Sequence, residues 1–418
     1  MKRRDVLRGA GELGPNESDC YKPFRISLGN WQCANVNVYA GDRRKITGRG
    51  GMKPLFNKPT LGVAAICLLM GTGLVHADHL ASPAGRAQCS KERQQALDTI
   101  VQRKLQFYET QFPDIQIFLL MNDTHRAHRM AELLRLLGQD AANLDYEHPP
   151  RLRADLLEVS LDRVEILLHN NFSSSALFRV GESGQARRQQ LCVLTLDSCG
   201  IAKDNYHATR HLLDVPEQVF AHLPAKRYLD ADQHLEFVID HEIHHCLVAH
   251  RGEPIPMSKR EYWASYMQWR SEKGADVYGL IMHAFKYGAD TNYANTLTDI
   301  RGMSLLVGDP DHYSCTAMTA AMQRFPELAD NGSVVESALT VAAKSRNETD
   351  CGYEEYLKYR YAASRAMRRF GITDPIGHAV LGELSYYKPE PARVEALLRE
   401  ASKHYQQLFG VPLPGIAH

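Results

Sequence analysis

Apolar residues recur at helical spacing early in the chain, and shorter apolar runs follow them. A helix is predicted over residues 89–111, because one stripe of its surface is formed by Leu97, Ile100, Val101 and Leu105. A second helix is expected at 124–137. Runs of β-type residues predict short strands at 115–120, 164–168, 176–180 and 191–196. Residues 78–214 are therefore expected to form a small α/β portion.

In residues 215–418 the pattern becomes helical. Residues 231–250 predict one helix, which a glycine and a proline shortly after it terminate. Asp309 and Pro310 are expected to open another, since aspartate caps helix N-termini and proline fits the first helical position. Further helices are predicted at 260–285, 353–370 and 391–409. A small sheet followed by a mainly helical half predicts an α+β fold.

The first 77 residues are expected to lie outside this fold. Residues 61–75 are the longest uncharged apolar run, two lysines precede it, and small residues occupy the −3 and −1 positions before Asp78. This order is typical of a secretory signal peptide, predicted at 52–77 because Met52 can start it. Residues 1–51 are then expected to be a non-native or disordered leader. The mature chain is expected to be periplasmic or secreted, and an uncleaved membrane anchor is the alternative.

The charge of the chain is unevenly distributed. Lysine plus arginine equals aspartate plus glutamate at 49 each, but residues 1–77 hold 12 basic residues against five acidic ones. Residues 78–418 therefore hold 37 basic and 44 acidic residues. A mildly acidic body argues against a nucleic-acid partner. No other stretch is apolar enough to predict a membrane span in the mature chain.

The cysteines fit export. Six of the nine follow the predicted cleavage site, namely Cys89, Cys192, Cys199, Cys246, Cys315 and Cys351. An even number in an exported protein permits disulfides. Cys192 with Cys199 is the predicted pair, because a short turn separates them. Cys315 with Cys351 is a weaker expectation, and Cys246 fits a buried free thiol equally well.

The strongest chemical signal is the sequence His241-Glu242-Ile243-His244-His245 within the predicted helix at 231–250. Residues four apart share a helix face, so His241 and His245 can present their imidazoles to one metal ion. Glu242 is placed to act as a base on an activated water. A chance H-E-x-x-H is expected in roughly one histidine-rich chain of this length in twenty, so the motif alone is only suggestive.

A second pattern on the next predicted helix strengthens the first. Glu272 and Asp276 stand four residues apart, beginning 27 residues after His245. Glu272 can be a third metal ligand. Asp276 can accept a hydrogen bond from the non-coordinating nitrogen of a ligand histidine, which fixes the tautomer and raises basicity.

The two patterns together, H-E-x-x-H and E-x-x-A-D, resemble the gluzincin metallopeptidases over about residues 235–280. They are similar to the CaaX-prenyl-protease-type and thermolysin-like peptidases. The resemblance implies a zincin-like fold, one Zn²⁺ per chain, Glu242 as general base and Asp276 as the partner of a ligand histidine. The zinc ligands that it implies are His241, His245 and Glu272.

Other ligand sets remain open. His244 lies three residues after His241 and can compete as a ligand, and Asp276 can itself bind the metal. Glu261 is another downstream carboxylate, but Ser265 stands where an acidic partner would be needed.

A peptidase of this kind also needs a donor for the oxyanion that develops on the scissile carbonyl. His312 and Tyr313 are the candidates, since both carry donors and acidic neighbours can orient His312. The alternative, slightly favoured, is that His312 lies in the first turn of a helix, where Asp309 and Asp311 serve capping.

These observations predict an exported zinc-dependent metallopeptidase that acts on a peptide or protein substrate. The strand at 191–196 is expected to dock an extended substrate, because strand addition is a common way to hold a peptide. The alternative is a catalytically inactive zincin-fold binding protein with a structural metal, which would have four protein ligands and no open position.

Overall fold

Three β-strands form one small sheet in the computed structural model, which describes residues 89–121, 173–180, 189–213, 225–252, 261–328, 333–350, 352–369 and 389–413. The strands are β1 (Ile115–Met121), β2 (Ser173–Val180) and β3 (Gln189–Leu196). β3 is central: it pairs parallel with β1 and antiparallel with β2. Four predicted segments lie outside the described residues, namely the leader, the signal peptide, the helix at 124–137 and the strand at 164–168.

Helices make up most of the remaining described chain. They are α1 (Lys91–Gln111), α2 (Ser198–Ala202), α3 (Asn205–Leu213), α4 (Ala231–His250), α5 (Glu261–Tyr287), α6 (Asn292–Gly302), α7 (Cys315–Arg324), α8 (Val334–Glu348), α9 (Tyr353–Arg369) and α10 (Pro391–Phe409). A predominantly helical chain with a three-stranded sheet confirms the predicted α+β class at this coarse level. Within the part of the chain that the structure describes, none of the helices has the length and hydropathy needed to cross a membrane.

The helix α4 lies at the centre of the packing. The side chain of Asp230 caps it by accepting from the backbone N–H of Gln233, and Gly252, at φ 76°, ends the turn that follows it. Most of its side chains are buried, because the sheet covers one side and α5 another. α4 and α5 approach closely at Gly279, where a β-carbon would lie 2.8 Å from ring atoms of Phe237. Two helices that carry polar side chains at their contact are thus held close together.

The segment after α6 differs from the prediction. Asp309 and Pro310 do not open a helix; the Asp309 carboxylate accepts from the backbone N–H of His312, and the Pro310 carbonyl from that of Tyr313. These bonds form a turn, and α7 begins only at Cys315.

Two disulfides replace the predicted pair. Cys192 is bonded to Cys246, and Cys199 to Cys89, so the prediction of a Cys192–Cys199 bond is wrong. The two cysteines face different neighbours, because Cys192 lies within β3, on a sheet face that packs against α4. Cys199 lies in α2, beyond the end of that strand, and α2 contacts α1. Cys315 is a buried free thiol, and Cys351 lies outside the described residues.

Removing the bond between β3 and α4 is expected to destabilise the protein. The double variant Cys192→Ala with Cys246→Ala should lower the free energy of unfolding by about 2–5 kcal/mol, because the unfolded chain regains the freedom that the cross-link removed. Urea unfolding measures this. Cys315→Ala is the matched control, since it removes a buried sulfur without removing a cross-link. Equal stability of the double variant and the native protein would contradict the assigned pairing.

Candidate metal centre

Three possible metal-ligand atoms from α4 and α5 lie within 3.5 Å of one another. Nε2 of His241 lies 3.4 Å from Nε2 of His245 and 3.0 Å from Oε2 of Glu272. The third side of this triangle, His245 Nε2 to Glu272 Oε2, measures 3.5 Å. The two histidines are four residues apart on α4, and α5 places Glu272 opposite them. The structure therefore brings together the three residues that the sequence predicted as ligands.

The size of this triangle fits a metal ion. Tetrahedral sites hold nitrogen and oxygen ligands at about 2.0–2.1 Å from the metal, so neighbouring ligand atoms stand about 3.3–3.4 Å apart. The three measured distances, 3.0, 3.4 and 3.5 Å, bracket that value. His241, Glu272 and His312 also form a group whose ligand atoms all lie within 4.8 Å of one another. The residues present can hold a metal ion.

The other ring nitrogens of both histidines are engaged. Nδ1 of His241 donates to Oδ1 of Asp276 at 3.0 Å, and Nδ1 of His245 lies 3.0 Å from the Ser271 hydroxyl. These partners orient the rings so that both Nε2 atoms face Glu272. Asp276 thus lies on the opposite side of the His241 ring from Glu272, which fits its predicted role as an orienting partner.

Asp276 is itself held by two buried groups. Arg301 donates to its Oδ1 at 2.8 Å, and the Ser314 hydroxyl donates to its Oδ2 at 2.6 Å. Burial raises the pKa of Asp276, but the Arg301 charge and the His241 hydrogen bond outweigh burial and hold this pKa below its usual range. A carboxylate that stays ionised in the interior can accept the hydrogen bond from Nδ1–H of His241 at any physiological pH.

Glu272 is an ionised carboxylate for similar reasons. Burial raises its pKa, yet the nearby His245 and the hydrogen bonds from His241, His245 and His312 hold the pKa well below its ordinary value. Gln268, one helical turn earlier, donates to its other oxygen, Oε1. Oε2 is thus the oxygen that the histidines share.

His312 joins the group from the turn before α7. Its Nε2 lies 3.4 Å from Oε2 of Glu272, and its Nδ1 donates to Oδ2 of Asp309 at 2.7 Å. Burial lowers the pKa of His312, but the Asp309 carboxylate outweighs it and raises this pKa well above its ordinary value. The Nδ1 bond with Asp309 leaves Nε2 of His312 facing Glu272, where this nitrogen can donate a hydrogen bond or, once deprotonated, coordinate a metal ion.

Glu242 is buried beside the sheet. The Ser175 hydroxyl on β2 lies 3.1 Å from Oε2 of Glu242 and 2.6 Å from its backbone carbonyl oxygen. The contact with Ser175 holds the Glu242 carboxylate between this strand and α4. β2 is an edge strand of the described sheet. β3, expected to dock a substrate through its segment 191–196, is paired on both sides and has no edge to offer.

Two other predicted residues have contacts elsewhere. The ring of Tyr313 is buried and packs 4.9 Å from that of Tyr359. The structure therefore does not bring the Tyr313 side chain to the three donors. The ring of His244 packs 5.2 Å from that of Tyr278 and against Gly274 of α5. Burial holds the pKa of His244 well below its ordinary value, so this ring is neutral.

Besides Gln268, which lies one turn before Glu272, four polar residues of the site were not predicted from the sequence, namely Ser175, Ser271, Arg301 and Ser314. Three of them reach the site from a distant strand, a distant helix or a loop, so no local spacing marks them. Ser271 directly precedes Glu272, but a serine at this position carries no distinguishing pattern.

Metal affinity is expected to rise with pH. Burial lowers the pKa of His241, but its bonds with Asp276 and Glu272 outweigh burial and raise this pKa to about 9. An imidazolium cannot coordinate, so metal binding must release this proton. Zinc affinity, measured by chelator competition, should therefore increase up to about tenfold per pH unit between pH 6 and 9 and flatten above. Asp276→Asn should give a shallower slope, and an affinity independent of pH in the native protein would contradict the argument.

Comparison of the chain with models of known protein families, with curated proteins and with solved structures finds no match.

Proposed function

We propose that this protein is an exported zinc-dependent metallopeptidase that hydrolyses peptide bonds. One observation carries the proposal: the three donor atoms of His241, His245 and Glu272 form a triangle of metal-binding size, and Glu242, a buried carboxylate, directly follows His241. Two imidazole nitrogens and one carboxylate oxygen are a ligand set typical of catalytic zinc. The combination of three ligands and an adjacent base supports catalysis more than structural metal binding. It also supports the likeness to the gluzincins noted in the sequence.

Each residue of the site has its own role in the proposed reaction. Zinc bound by three ligands would supply a Lewis acid that activates water at neutral pH. Glu242 accepts the proton of the attacking water and returns it to the leaving amine. His312, held in its donor form by Asp309, donates Nε2–H toward the oxyanion that develops on the carbonyl. Asp276 and Ser271 keep the ligand imidazoles oriented throughout.

Substrate is proposed to bind along β2 instead of β3. β2 forms an edge of the described sheet, and Ser175 on this strand contacts the proposed general base. An extended peptide that adds to this edge would lie beside Glu242, because backbone hydrogen bonds fix its path.

Export is proposed from the predicted signal peptide at 52–77, and the two disulfides agree with an oxidising compartment. N-terminal sequencing of the exported protein should find Asp78 first; recovery of residues 1–51 would contradict this expectation.

A second candidate function rests on His312. If its Nε2 coordinates as a fourth ligand, the site is closed and the protein is a binding protein with a structural metal. Nε2 of His312 lies 3.4 Å from Oε2 of Glu272, which is the spacing between neighbouring ligand atoms of a tetrahedral site.

The proposed function is tested by cleavage of a mixed peptide library. Protein that holds zinc should cleave peptides, protein stripped with a chelator should not, and added zinc should restore cleavage. Metal analysis of the purified protein should find about one zinc per chain. A zinc-loaded, folded protein that leaves the whole library intact would instead support the closed site.

A further inference from the structure

The sheet contacts α4 at two positions that lie one helical turn apart. Glu242 and Cys246 are four residues apart, so they share a face of α4. Cys246 is bonded to β3 through Cys192, and Glu242 is contacted from β2 by Ser175. Ser175 pairs with Leu194, two residues along β3 from Cys192, and residues two apart point to the same side of a strand. One face of the sheet and one face of the helix therefore make both contacts.

The Ser175 hydroxyl contacts both the backbone and the carboxylate of Glu242. Its Oγ lies 2.6 Å from the backbone carbonyl oxygen and 3.1 Å from the carboxylate oxygen Oε2. A hydroxyl has one hydrogen, which these two oxygens share. A glutamate side chain turns about the bonds between its backbone and its carboxylate, and a contact at both ends restricts those rotations. The serine thus favours one conformation of the Glu242 side chain.

The helix itself does not need this serine. Glu242 lies within α4, so its carbonyl oxygen already accepts from the backbone N–H four residues later. The hydroxyl of Ser175 adds a second bond to that oxygen. Ser175 is only partly buried, and β2 is an edge of the described sheet. Removing the hydroxyl therefore leaves the bonds of the helix in place, and the main effect falls on the carboxylate.

The contact also distinguishes the two oxygens of the carboxylate. Ser175 bonds with Oε2, so Oε1 is the oxygen that can accept the proton of an attacking water without losing this bond. Only 7% of the Glu242 surface is exposed, which limits the competition of bulk water for the carboxylate. A displacement of about 1 Å from the reacting geometry can cost about 100-fold in rate. The orientation of this side chain is thus expected to matter for the reaction.

We propose that Ser175 is a positioning residue that holds the Glu242 carboxylate in the orientation in which it acts as general base. This inference rests on the proposed peptidase function. Ser175 acts through Glu242, while substrate is proposed to bind to the backbone of β2. Because the Ser175 side chain points toward α4, its removal should leave substrate binding intact. The same strand then aligns both the substrate and the base.

The first experiment separates kcat from KM. Ser175→Ala should lower kcat for one cleaved peptide by about 10–100-fold, because the carboxylate is no longer held, and should change KM less than about threefold. Ser175→Thr keeps the hydroxyl and suits a strand, so this variant should recover most of the native kcat. Both variants should hold as much zinc as the native protein, since Glu242 is not one of the proposed ligands.

Two controls assign the effect to the contact with Glu242. Thr195→Val removes a buried hydroxyl from the same sheet, one that bonds with Ser174 at 2.6 Å on the opposite face. This variant should keep the native kcat and KM. In the Glu242→Gln background, Ser175→Ala should not lower the residual rate further, because the base through which the serine acts is absent.

The contact is also measured without the activity, in metal-free protein. The unfolding temperature is compared for Ser175→Ala, Glu242→Ala and the double variant. The double variant should shift this temperature by less than the sum of the two single shifts, because either change alone already breaks the contact.

Three results would overturn the inference: a native kcat in Ser175→Ala, an equal loss of kcat in Thr195→Val, or single shifts in unfolding temperature that add up to the shift of the double variant. A native protein that holds zinc and cleaves no peptide would overturn the peptidase function and the role of Ser175 with it. A native protein that cleaves peptides while Ser175→Ala keeps its kcat would overturn only the role of Ser175.

Discussion

Replacing Glu242 by glutamine is expected to leave zinc bound and to lower the rate of peptide hydrolysis by about 100–10,000-fold. Glutamine keeps the size of the side chain and can still bond with Ser175, but it cannot accept the proton of the attacking water. Zinc content by metal analysis and the initial rate on one cleaved peptide measure the two effects separately.

The control for this variant is Glu236→Gln. Glu236 is also buried on α4, where it forms ion pairs with Arg103 and Lys286. Its loss should change stability without abolishing hydrolysis. Equal activity of Glu242→Gln and the native protein would remove Glu242 from the reaction, and loss of zinc in this variant would make Glu242 a structural residue of the site.

Glu272→Ala is expected to abolish zinc binding almost completely, because it leaves two protein ligands. Of the three proposed ligands, Asp276 contacts only His241, so its loss should weaken zinc binding by about 10–100-fold. Asp276→Ala alone leaves the Arg301 charge buried and unbalanced, which can cost about 3–5 kcal/mol of stability. The double variant Asp276→Asn with Arg301→Gln removes both charges and gives the cleaner comparison. If the double variant loses zinc more completely than Glu272→Ala, the aspartate is the ligand.

His312→Ala separates the open site from the closed one in the same titration. If His312 donates to the oxyanion, the variant keeps zinc at nearly native affinity and loses hydrolysis by about 100–1,000-fold. If it instead loses zinc as Glu272→Ala does, His312 is a fourth ligand and the protein is the metal-stabilised binding protein.

The sequence was most informative where one element carries its own pattern. The bounds of α4 were predicted to the residue, because a helical apolar face is followed shortly by a glycine and a proline. The spacing of His241 and His245, and that of Glu272 and Asp276, placed each pair on a single helix face. Contacts within one helix depend only on residue separation, so the sequence contains them.

Contacts between elements were harder to predict. The nearest cysteines along the chain do not form the disulfides, since strand and helix direct Cys192 and Cys199 to different neighbours. Arg301 and Ser314 meet Asp276 only because α6 and the turn before α7 fold back onto α5. The Asp309-Pro310 pair has the composition of a helix start, yet the His312 backbone uses the Asp309 side chain to close a turn.

The bond between Cys192 and Cys246 also bears on how the metal site is assembled. Cys246 directly follows the proposed ligand His245, and in a reduced chain its thiolate would be a strong competing ligand for a metal such as zinc. Oxidation removes both thiols from that competition and fixes α4 on the sheet. Disulfide formation before metal entry would therefore keep the newly made protein from capturing a metal ion with the wrong set of ligands, so the order of these two events would decide which site is formed.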